Sequence, residues 1–268
     1  ATTANFNTGI GFLAGAALTT GASNTAVGAY SLDANTTGGS NVAIGVNALS
    51  SSTTSNDNTA VGTNSLAACT TGDQNTACGV NSADSITTGA RNVAIGSQSL
   101  AACTTGNANI SIGYQTLDAA TTSSNNVAIG VTALGACTTG GGNLAIGSNA
   151  QALTTTANSN VAVGDAALNN NTTGASNTCV GVSAGSGIAG NSNNNACLGR
   201  ESGGNISTGD NNVCLGYQAN VVNATNNNQV ILGNSSIELL RCAQSSITTY
   251  SDQRDKTDIV DSTDGLDV

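Results

Sequence analysis

The sequence predicts an all-β protein, a parallel β-solenoid of 17-residue coils. Three observations predict it: a glycine that returns at a fixed interval, a short strand pattern before each such glycine, and a composition unsuited to a conventional core. The anchor glycines are Gly11, Gly28, Gly45, Gly62, Gly79, Gly96, Gly113, Gly130, Gly147, Gly164 and Gly181, each 17 residues after the last. One 18-residue step leads to Gly199, and 17 again gives Gly216 and Gly233. A fixed period of this size marks a solenoid, where each repeat buries its apolar face only by stacking on its neighbours. The regular apolar positions separate the chain from disordered low-complexity sequence.

The strand comes first in each coil. An aliphatic residue stands immediately before the anchor, as at Val27, Ile44 and Val61, with Cys78 in the next coil. Two before it the slot is small (Ala26, Ala43, Ala60), and three before it stands Thr or a branched aliphatic, as at Val42 and Val93. Four before it sits Asn in thirteen of fourteen repeats, including Asn24, Asn41, Asn58, Asn75, Asn92, Asn126 and Asn160. Alternate strand residues face opposite ways, so Val and Ile share one face while Asn and Ala share the other. The bulk of the Val/Ile face predicts that it forms the coil's interior, leaving the flat Ala face for close approach by another surface. The glycines, such as Gly28, Gly45, Gly62, Gly96, Gly130 and Gly164, end the strands where a turn demands positive φ.

The second half of the coil carries Leu four residues after many anchors (Leu32, Leu49, Leu66, Leu100) and closes on Thr-Thr-Gly, as at Thr36-Thr37-Gly38. Helical spacing never persists, and Gly, Asn and Thr are poor helix formers. A second short strand is therefore expected, and fourteen coils at about 4.8 Å each make a rod on the order of 65 Å long. The Asn row reads as a ladder of amides that fixes the register, in preference to a sugar or ion site.

Composition excludes several functions. There are 34 Gly but no Pro, Met, Trp or His, and 7% of residues are charged, against about 25% in an ordinary domain. Without His there is no Ser-His-Asp triad and no imidazole-ligated metal, so no metal or cofactor is expected. A net charge of −10 argues against a grip on nucleic acid phosphates, and no run of 18 apolar residues exists to insert in a membrane. The acids Asp33, Asp57, Asp73, Asp84, Asp118 and Asp165 shift slots from coil to coil, so no glycosidase-like carboxylate pair is assembled. Cys69, Cys103 and Cys137 fall in alternate coils, about 9.6 Å apart and beyond the Cα limit near 7 Å for a disulfide. Cys197 and Cys214 are in adjacent coils, where a bridge is geometrically open. Reduced, buried thiols are the expectation for the eight cysteines.

The pattern ends after Gly233. Residues 1–233 make the solenoid of fourteen repeats, 234–250 an extended neck, and 251–268 a separate segment that holds six of the 15 acidic residues. The coils resemble the left-handed β-roll heads of trimeric autotransporter adhesins and the Asn-Thr-Ala-Ile-Gly repeats of phage tail fibres. The segment Ser251-Asp252-Gln253-Arg254-Asp255-Lys256-Thr257-Asp258-Ile259 is similar to the opening of the intramolecular chaperone family of endosialidases and phage fibres, of which only the start is present. The resemblance implies a homotrimeric fibre whose chaperone cuts itself off between Tyr250 and Ser251, with Ser251 as nucleophile and Lys256 as base, a pairing that works without His.

The expected function is a structural and adhesive tail-fibre shaft or head, assembled in a host cytoplasm. Its partners would be its own copies, other virion tail proteins and a host surface glycan or protein. Apart from the self-cleavage it would be no enzyme. Two alternatives stand beside it: the head of a bacterial surface adhesin, and an ice-binding solenoid based on the Thr row of Thr37, Thr71, Thr105 and Thr139. Against the latter, neighbouring Thr residues of an extended strand point to opposite faces.

Overall fold

A computed structural model of the chain describes residues 5–239. Fourteen three-residue strands, from β1 (Thr8–Ile10) and β2 (Thr25–Val27) to β13 (Val213–Leu215) and β14 (Val230–Leu232), form one parallel sheet in chain order. Each strand ends at its anchor glycine, and neighbours pair in register, for instance Val42 with Thr59, Ala43 with Ala60 and Ile44 with Val61. The solenoid lies in a compact unit that extends to Ser235. The 18-residue step leaves the register intact: Thr178 of β11 (Thr178–Val180) pairs with Ala196 of β12 (Ala196–Leu198). The extra residue is absorbed in the exposed turn at Gly190, whose carbonyl accepts the Thr173 and Gly174 N–H groups.

The expected second strand does not form. The half-coil after each anchor is a chain of tight turns in which non-glycine residues take left-handed backbone angles, as at Asn47 (φ 56°), Leu49 (φ 51°), Asn64 (φ 56°) and Leu66 (φ 51°). Its hydrogen bonds alternate. The Ser65 N–H returns to the Gly62 carbonyl within the turn, while the Leu66 N–H reaches across to Ser82 in the next coil. A left-handed angle disfavours an L-residue by roughly 1–2 kcal/mol, a cost that burial of the leucine, in the coils that have one, and stacking of the turns offset.

The two strand faces are the reverse of the expectation. The small residue is inside: Ala43, Ala60, Ala94 and Ala128 are fully buried, while Ile44 and Ile95 of the same strands are exposed. The face is decided by the asparagine. Its amide can be satisfied along its whole length only inside, and it carries the alanine inward with it. Core bulk comes instead from the leucine stripe, for Leu49, Leu66, Leu100 and Leu134 are fully buried, so a coil this narrow has room for only a methyl group opposite.

Two interior slots compensate each other in volume. Where the residue four after the anchor is Leu, the residue seven after it is small or polar, as in Leu32/Asn35, Leu100/Cys103 and Leu117/Ala120. Where the first shrinks, the second grows: Ala83/Ile86, Gly185/Ile188 and Gly203/Ile206. In most coils one large aliphatic fills the section, as native packing density requires; after Gly147 the buried pair is Gln151 and Thr154. The anchor glycines are required twice over. Gly45 has φ 136° and Gly79 φ 143°, and a Cβ on either would lie 2.5 Å from the carbonyl oxygen of the anchor in the next coil.

Candidate interaction surface

The inner ladder runs through the core. The Asn41 N–H donates to Asn24 Oδ1 (2.9 Å) and its Nδ2 to the same oxygen (3.1 Å) and to the Ser55 carbonyl (2.8 Å). Asn58, Asn75, Asn92, Asn126 and Asn160 each donate a backbone N–H to the carboxamide oxygen of the preceding Asn, and the chain of bonds closes at Gln229. These residues are buried, so they hold the stack and present nothing to a ligand. The glycines Gly28, Gly45, Gly62, Gly96, Gly130 and Gly164 all have φ between 126° and 137°. Tyr250, Ser251 and Lys256, with Cys242 and most of the expected neck, lie outside the described residues.

Three faces remain on the outside. The first is the outward face of the sheet. Ile44, Ile95, Ile146 and Leu198 are 37–54% exposed, and Val46, Val80, Val131 and Val182, just past the anchors, 45–50%. The outward strand positions carry no charged residue, and the position after the anchor carries only Asp165 and Arg200 among the described residues. Arg200 stacks on the Tyr217 ring at 5.8 Å and pairs with Glu201 at 2.9 Å. The result is an apolar ribbon about 60 Å long, given about 4.8 Å per strand. Such a ribbon is longer than the scattered apolar residues a lone soluble protein normally exposes.

The second face carries the threonines. Thr36, Thr53, Thr70, Thr87, Thr104 and Thr121 each donate a hydroxyl to the carbonyl of the Thr one coil on, at 3.0–3.2 Å. The following threonines, Thr37, Thr71, Thr105 and Thr139 among them, are exposed. The Thr-Thr pair sits in a bend and not in an extended strand, so both residues reach the surface, which corrects the opposite-faces expectation.

The third face is polar, and sequence reasoning missed its organisation. Six residues before the anchor, an Asn or Asp side chain accepts the backbone N–H of the same slot in the preceding coil. Asn56 accepts from Gly39 (2.9 Å), Asp73 from Asn56 (2.6 Å) and Asp210 from Asn193 (2.6 Å). The recurrence of Asn, Asp and Ser at this slot was the available signal. Asp57, Asp73, Gln74 and Arg91 line a shallow groove of about 570 Å³ here. Asp73 is already engaged in the outer ladder, so this is no carboxylate pair free for catalysis.

Among the described residues no group of three or more His, Cys, Asp or Glu is placed to hold a metal ion. Cys69, Cys103 and Cys137 are buried free thiols directed at the carbonyls of Gly72, Gly106 and Gly140. Burial pushes Cys69 and Cys137 up to about 11, so they stay protonated at neutral pH and are inert as nucleophiles. Cys78 is exposed.

The fold defines the chain as a parallel β-solenoid repeat protein. No family model, curated protein or solved structure matches it.

Proposed function

We propose that the chain is a structural and adhesive fibre component, in which three copies pack through their outward strand faces and the Thr and polar faces meet a host surface. The observation that carries the reading is the apolar ribbon, whose outward strand positions carry no charge from β2 to β14. A stable interface has an apolar centre depleted of charge and a polar rim, and this ribbon is flanked on one side by the polar ladder and on the other by the turns of Asn47, Asn64 and Asn81, which hydrogen-bond along the stack. The three-fold state, the tail-fibre setting and cleavage at Tyr250–Ser251 rest on the sequence resemblance. The Ala face, buried in the core, takes no part in the contact.

Light scattering coupled to size exclusion tests the packing. The expected mass is about 78 kDa, three times the 25.9 kDa of one chain. The double variant Ile95→Asp/Ile146→Asp should run as a single chain with its β-sheet circular dichroism retained. A wild-type protein of one-chain mass would overturn the proposal.

The exposed Thr row favours a second reading. In the ten coils from Thr20 to Thr173 the four residues that end in Thr-Thr contain no charge and no aromatic ring, and a regular hydroxyl row free of both suits ordered water. Thermal hysteresis measured on the purified chain checks it: growth arrest of ice crystals, lost in Thr71→Lys/Thr105→Lys, would support ice binding, and unhindered growth would dismiss it.

A further inference from the structure

Three cysteines occupy one inward slot of three successive coils. Cys179 in β11 faces Cys197 in β12, which faces Cys214 in β13, residue for residue across the sheet. All are buried free thiols. Elsewhere this slot holds a buried alanine, as at Ala128, Ala145 and Ala162. Neighbouring strands stand about 4.8 Å apart, inside the Cα separation of about 4.4–6.8 Å that a disulfide spans. The Cys197 thiol lies near enough to those of Cys179 and Cys214 to interact with both. The first two of these coils carry a second change: Gly185 and Gly203 stand where leucine fills most coils, and a Cβ on either would strike the sulfur of Cys179 or Cys197. Room has been made for sulfur at this level of the rod.

We propose that Cys197 and Cys214 form a disulfide, a covalent tie between adjacent coils near the end of the sheet. The oxidant is a low-molecular-weight disulfide of the glutathione type. The Cys214 sulfur, having lost its proton to solvent, attacks one sulfur of the oxidant, breaks its S–S bond and releases one thiolate. The Cys197 sulfur, likewise deprotonated, then attacks Cys214, forms the protein disulfide and expels the second thiolate. The two protons end on the two released thiols, so the cysteine pair is oxidised and the oxidant reduced. Cys214 reacts first because among the described residues only β14 lies beyond its strand, and end elements open most readily. The Cys179 thiol and burial push Cys197 up, and the Cys197 thiol and burial push Cys214 up. Thiolate is therefore scarce, and the reaction waits on opening of the coil. The inference does not depend on the fibre reading.

Mass mapping tests it. The chain is incubated with oxidised glutathione, its remaining thiols are alkylated, and it is digested with trypsin, which cuts after Arg200 and so separates Cys197 from Cys214. The expected result is a joined pair of peptides carrying both residues, with a Tm higher than that of the same sample after reduction. Cys214→Ala, which restores the usual residue of the slot, should fold and show neither. Cys197 and Cys214 still alkylated after Cys78 has been fully oxidised would overturn the proposal, as would a Cys179–Cys197 bond in their place.

Discussion

At the scale of single residues the coil is specified by its asparagine and its glycine, for different reasons. Asn92 gives its Nδ2 to Asn75 and to the Gly106 carbonyl, and its oxygen receives the N–H and Nδ2 of Asn109. Replacing it by Ala leaves several buried polar groups unpaired at roughly 1–3 kcal/mol each. Asn92→Ala is therefore expected to lower the urea midpoint more than Asn107→Ala on the outer, solvent-washed ladder. Gly96→Ala adds positive-φ strain to a collision with the next coil and should lower the midpoint further still. Both residues were legible in the sequence because their demand repeats in nearly every coil, Gln229 alone standing in for Asn. The left-handed Leu49 and Leu66 were not, since nothing local distinguishes a leucine in a turn from one in a strand.

Titration adds a residue-scale prediction. Burial raises the carboxyl groups of Asp84 and Asp118 above the usual range, so the folded chain holds these protons more tightly than the unfolded chain. Stability then falls as pH rises from the unfolded pKa through the folded one, and the loss is complete above both. Asp84→Asn should raise the urea midpoint at neutral pH. The advantage should shrink as pH falls through the carboxylate range, and an advantage independent of pH would exclude this origin.

At the scale of one coil, the unit of design is the pair of interior slots and not either residue alone. Leu100→Ala deletes the one large aliphatic of its section and should cost about 2–5 kcal/mol. The double variant Leu100→Ala/Cys103→Ile recreates the Ala83/Ile86 pair found one coil earlier and should recover most of that loss. Unfolding of wild type, both single variants and the double variant closes a double-mutant cycle. A coupling near zero would mean that the slots do not share one space. The same coil shows why apolar bulk is a poor guide to the interior here: the sequence alone does not reveal that a buried leucine from the turn already fills the section. Once Leu100 and the Asn92 amide are inside, the strand can contribute only Ala94, and Ile95 must face out.

At the scale of the rod, every coil contributes the same kinds of bond to its neighbours, and stability is a sum of near-identical terms. What differs around the circumference is charge. Among the described residues the acids and basic residues of the solenoid lie on the turns and the polar ladder, and the outward strand positions have none. Each chain carries a net charge of −10, so bringing copies together opposes like charges while burying apolar ribbon. Added salt screens the repulsion, with a Debye length near 10 Å at about 0.1 M and near 3 Å at about 1 M, and leaves the apolar contribution in place. Association between copies is therefore expected to tighten as sodium chloride rises from about 0.1 M to about 1 M, read as a falling dissociation constant in sedimentation equilibrium. Copies held instead by ion pairs between Arg91 and the acids of the polar face would come apart over the same range. The salt response thus distinguishes packing through the sheet from packing through the polar ladder, where a mass alone would not.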